Sequence, residues 1–156
     1  MNIGVTIATV IFVILVIGAF LVPGYMMQSR IAQVVGGRDL EGAEHVLAVL
    51  PGFNLAITRS VLYNSAVMPI VVNLILVITL IVNFVIQSFV PIAILELISL
   101  IITWIVIFVA WAVNGYIIQD AAACMGLGFV SRVLSFIAPP LVEYLVARYT
   151  AAVEED

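Results

Sequence analysis

The chain has 156 residues, of which 65% are hydrophobic and only 9% charged, with a formal net charge of −4 and a mean hydropathy of +1.34. Soluble domains are about 45–50% apolar and about 25% charged, so a water-soluble globule is excluded and lipid must solvate much of the surface. The only cysteine is Cys124, which rules out an internal disulfide and a cysteine-built metal site; among the small residues of AAACMGLG it reads as a buried hydrophobe.

Residues 3–22 form a first apolar run, closed by Pro23-Gly24. The run lacks the basic front of a signal peptide and is longer than the ~7–15 residues of such a core, so a retained N-terminal span over 1–24 is expected. Gly4 and Ala8, with Thr9 beside them, form a small-residue face of the kind that lets helices approach closely in lipid.

Residues 25–65 are the one sizeable polar segment, with Arg30, Arg38, Arg59, three acids and the lone His45. Asp39 has the character of an N-cap for a helix reaching Leu50, with Glu41 and Glu44 near its positive end. Leu40, Ala43, Val46, Leu47 and Leu50 recur at helical spacing opposite the acids, a pattern that suits a membrane surface or a neighbouring subunit. A second short helix is expected over about 54–63, leading into the membrane. His45 with Glu41 and Glu44 is one helical turn of candidate ligands, but the acids are already explained by the helix start, and no metal or other cofactor is expected.

Residues 66–119 read as a transmembrane hairpin turning near Pro91, because 66–118 hold a single charge, Glu96, and a span needs about 20 apolar residues. On the first arm Asn73, Thr79, Asn83 and Gln87 fall within an arc of about 120° at helical spacing. On the second, Glu96, Ser99, Thr103 and Asn114 fall within about 60°. These eight residues are candidates for helix packing or for an ion path. An ionisable group in a span is a functional candidate by default, but Glu96 lies only about 7–8 Å along the helix from Pro91, close enough to the interface to reach water. Trp104 and Trp111 supply only part of an aromatic belt.

Residues 120–156 are expected to form interfacial helices on either side of Pro139-Pro140, followed by the acidic tail Glu154, Glu155 and Asp156. Arg132, Glu143 and Arg148 recur too often for a fourth span. The fold class is therefore an all-α integral membrane protein with three transmembrane helices and amphipathic interfacial helices.

With three spans, all five arginines (Arg30, Arg38, Arg59, Arg132 and Arg148) fall on one side, which orients the chain N-out and C-in and makes them candidates for lipid or partner contact. Lysine is absent, and this arginine-only, acidic composition fits a GC-rich or salt-loving source, the alternative being that so few residues face water that lysine is missing by chance. No catalytic triad, phosphate loop or dinucleotide fingerprint is present, and the acids around the loop arginines argue against specific nucleic-acid binding. The expectation is a non-enzymatic structural or assembly subunit, in several copies within a large membrane complex. The leading setting is the inner membrane of a virus particle with a halophilic host, with a cell membrane as the other. The competing classes are a small channel or transporter subunit using Glu96 and the polar stripes, and a subunit of a secretion, conjugation or energy-coupling complex.

Overall fold

The computed structural model describes residues 3–90 and 92–148. Pro91, the side chain of Ala8 and the acidic tail at Glu154, Glu155 and Asp156 lie outside the described residues. The chain forms α1 (Ile3–Val34), α2 (Ala43–Ala48), α3 (Leu55–Tyr63), α4 (Val67–Phe89), α5 (Ala93–Cys124), α6 (Phe129–Ile137) and α7 (Pro139–Arg148), with no strand among the described residues. Three helices are long and apolar enough to cross a bilayer, and their spans are Thr9–Val34, Val67–Phe89 and Ala93–Cys124. This is an all-α membrane protein.

Length explains the architecture. α1 and α5 have 32 residues each, or about 48 Å of helix, against about 20 residues for a bilayer crossing. The first helix does not stop at Pro23-Gly24. Pro23 removes one backbone donor, but the apolar flanks carry the helix on to Val34. Residues 25–34, expected in a loop, are its last turns, with Met27, Gln28, Ile31 and Ala32 buried. The second arm of the hairpin likewise outruns residue 119 and ends at Cys124. The two overhangs form a small core with α3, α6 and α7, centred on Met27, Ile31, Leu55, Ile117, Ile118, Ala121, Ala122, Val142 and Val146.

The end of α5 is fixed locally. Leu127 N–H donates to Ala122 O at 2.9 Å and Gly126 N–H to Ala123 O at 3.0 Å, while Gly126 takes φ 76°. That left-handed residue closes the helix and turns the chain back. Ala121, Ala122 and Met125 then face the core and Cys124 faces outward, so the cysteine is exposed and not the buried hydrophobe expected. α6 returns along α5 until Phe136 lies beside Trp111, Gly115 and Tyr116. α7 begins at Pro139, where a missing N–H costs nothing, and packs on α1.

The α2 region also differs from expectation. Asp39 does not cap the helix but accepts from Gln33 Nε2 at 2.8 Å, and Gly42 stands at the N-cap. Glu44 accepts the Glu41 N–H, just ahead of the helix, at 3.1 Å, and no side chain caps the helix itself. The helix ends at Ala48, and its buried side is Leu40 and Ala48 with Leu47 beside them, leaving Val46 and Leu50 exposed.

The outer half of α1 stands apart. Its neighbours are α7, α3 and α2, all near its C-terminal end. Phe12 and Leu15 are each 66% exposed, and no residue from Val10 to Phe20 is buried.

Candidate functional site

The two polar stripes face each other inside the hairpin. Asn73 and Asn114 exchange side-chain hydrogen bonds, and Asn73 Nδ2 also donates to Pro69 O at 2.7 Å. Ser99 Oγ donates to Asn83 Oδ1 at 2.8 Å, and Thr103 Oγ1 to Ser99 O at 2.7 Å. Gln87 Nε2 donates to Glu96 O at 3.1 Å. Thr79 lines a mostly apolar gap of about 140 Å³ with Asn83, Ser99 and Thr103. Only the backbone carbonyl of Glu96 joins this network; its half-buried carboxylate has no partner among the described residues.

The arginines take local partners. Arg38 grips Glu44 with two bonds of 2.6 and 2.7 Å, which holds the Glu44 carboxyl below the usual carboxylate range. Arg59 lies over the Tyr63 ring at 4.3 Å, and Tyr63 Oη donates to Asp120 Oδ2 at 2.9 Å, which raises the Tyr63 hydroxyl above its ordinary value. Arg132 Nε reaches Leu127 O at 3.4 Å, and Arg148 sits over the Tyr144 ring at 5.5 Å. Arg30 is half-buried beside the core. His45 Nδ1 lies 3.0 Å from Tyr25 Oη, and no group of three metal-ligating side chains exists among the described residues.

The structure adds a site that the stripes did not announce. A cavity of about 160 Å³ lies where the 51–54 turn and the α6–α7 turn converge, walled by Phe20, Asn54, Trp111, Asn114, Pro139 and Glu143. Glu143 is only 7% exposed. It has no ion pair or hydrogen bond among the described residues, and burial pushes its carboxyl up to about 7.

Asn54 occupies the N-cap of α3, a position its side chain favours, yet makes no capping bond. The side chain turns instead against α1: a Cβ on Gly24 would meet Asn54 Nδ2 at 2.5 Å and Glu143 Oε2 at 3.5 Å. Only glycine at position 24 lets both groups sit against one point of α1. Asn54 Oδ1 is buried with no partner. On the opposite wall, Gly52 (φ 79°) presses on the Asn73 carboxamide, which the Asn114 pair holds in place.

Sequence reasoning missed Glu143 because its spacing matched an amphipathic surface helix. The signal available was its position between Val142 and Val146, both fully buried, so that a carboxylate shares a turn with the packed face.

The sequence matches no family model, and no curated protein or solved structure compared with it gives a match. Function must therefore be argued from the site and surface alone.

Proposed function

We propose that the protein is a non-enzymatic structural or assembly subunit of a larger membrane complex, present in several copies. The observation that supports this reading is the outer half of α1, an apolar helix whose side chains stay exposed from Val10 to Phe20 among the described residues. A helix in lipid gains little from apolar burial, and what holds it is packing with other helices. The polar stripes support the same reading, because their groups are largely spent on each other inside the hairpin instead of lining a conduit. The arginine count supports an orientation with the N-terminus outside and the C-terminus inside. The lysine-free acidic composition fits a halophilic host, and the amphipathic helices suit docking under a shell, which supports the membrane of a virus particle as the setting.

Gentle detergent extraction, native mass measurement and identification of co-purifying chains test the reading. A large assembly containing shell or other complex components is the expected result. A small ring of this chain alone, with flux lost in Glu96→Gln, would replace it with the transport reading.

A further inference from the structure

The polar corner of the cavity holds one acid and one free donor. Asn54 Nδ2 and Glu143 Oε2 both lie against Gly24, 2.5 and 3.5 Å from the place its missing Cβ would take. They make no hydrogen bond with each other, and neither has another partner among the described residues. The other donors around the cavity are used. Leu55 N–H donates to Gly52 O, Ala56 to Phe53 O and Ile57 to Asn54 O. Pro139 and Pro140 have no N–H, and the N–H groups of Leu141 and Val142 both go to Ala138 O. Trp111 Nε1 donates to Phe136 O, and Asn114 Nδ2 to Asn73 Oδ1.

No cation balances the acid. The titratable and charged groups on the elements around it are Tyr25 and Arg30 of α1, Arg59 and Tyr63 of α3, Glu96, Tyr116, Asp120 and Cys124 of α5, Arg132 of α6, and Tyr144 and Arg148 of α7 itself. None of them forms an ion pair or hydrogen bond with Glu143, and burial alone displaces its titration. An unpaired carboxylate in such a pocket is costly, whereas the protonated carboxyl is neutral.

Water is close at hand. Counted from the hairpin turn, α4 and α5 reach the about 20 residues of a bilayer crossing near Ile70 and Ala112, next to Asn73 and Asn114. The cavity therefore stands at the hydrocarbon boundary on the arginine-bearing side, and its volume of about 160 Å³ has room for a few water molecules.

We infer that this cavity is a proton-binding site: a proton on Glu143 keeps it dry, and release of that proton admits water and draws the Asn54 N–H onto the carboxylate. Because α1, α3, α5 and α7 all contribute to its walls, the site couples pH on the arginine-bearing side to the seating of α7 on α1 at Gly24. This inference does not depend on the subunit reading.

The test uses Trp111, which lines the cavity. Trp104, the only other tryptophan, is exposed, so Trp104→Phe should leave the fold intact and Trp111 as the sole reporter. Its emission is followed in the full chain in lipid nanodiscs from about pH 4 to about pH 9, a range that spans the ordinary and the displaced carboxyl. The expected result is a one-proton step centred at about 7, with redder emission on the alkaline side as water enters. Glu143→Gln keeps the side-chain volume, so it should fold and show no step. Asn54→Leu removes the free donor at similar volume and should raise the midpoint by about 0.5–1 pH unit. A step that persists in Glu143→Gln would overturn the inference, since another group, such as His45, would then carry it. So would emission that stays flat with Glu143 in place, or a midpoint at the ordinary carboxyl value of 4.5.

Discussion

Asn73 of α4 and Asn114 of α5 hold each other by two reciprocal hydrogen bonds of 3.1 and 3.0 Å, and this pair joins the hairpin to the cavity wall. Asn114 lines the cavity directly, while Asn73 lies behind it against Gly52. Removing one partner leaves the other carboxamide unpaired in a mostly apolar setting. Interhelical polar contacts in membranes are worth about 0.6 kcal/mol on average and up to about 1.7. Asn73→Leu and Asn114→Leu should each destabilise the hairpin within that range. The double variant should cost less than the sum of the two, as read from a double-mutant cycle on unfolding in mixed micelles.

Gly52 is strained for any other residue. Its φ of 79° favours glycine, and a Cβ there would collide with Asn73. Gly52→Ala should cost at least about 1–2 kcal/mol from backbone strain alone. It should also displace Asn73, so the loss should shrink in an Asn73→Ala background. Equal losses in both backgrounds would mean that Asn73 is not the obstacle.

Glu143 ties stability to pH, and burial sets the sign. Its carboxyl is pushed up to about 7 in the folded chain, against an ordinary value of 4.5. The folded state therefore holds the proton more tightly than the unfolded one. The contribution to stability is full below about pH 4.5 and is lost as pH rises towards 7, with a magnitude of about 3 kcal/mol. Glu143→Gln should flatten that slope and be the more stable protein above pH 7. A wild-type Tm that is flat from pH 5 to 8 would contradict the burial.

The parts of this architecture that were legible in the sequence are those carried by long apolar runs. The hairpin, the two polar stripes and the two helices split at Pro139-Pro140 all follow from period and length, whereas the pairing of the stripes with each other is seen only in the structure. The first boundary was misread because Pro23-Gly24 is a stop signal in water, whereas a long apolar helix absorbs it, and Gly24 serves close packing with Asn54 instead. Asp39 was misread because its carboxylate is taken by Gln33 Nε2 on the prolonged α1, and the helix starts later, at Gly42. The cavity was hidden for a different reason. Asn54, Asn114 and Glu143 are far apart in the chain, and only the convergence of two turns on α1 and α5 brings them together.

The exposed half of α1 gives the sharpest test of how the protein is used. Phe12 and Leu15 are both 66% exposed, and the core lies around the other end of the helix. Substituting them should leave the chain's own unfolding almost unchanged, since neither belongs to the packed core among the described residues. If α1 docks on neighbouring subunits, Phe12→Ala with Leu15→Ala should weaken assembly while the isolated chain keeps its Tm. A Leu15→Cys variant in a Cys124→Ser background should also form cross-linked products in the native membrane, reported as a ladder or as one heterologous adduct on non-reducing gels. Assembly unchanged in the double alanine variant, together with no adduct from Leu15→Cys, would assign this half of the helix to lipid alone.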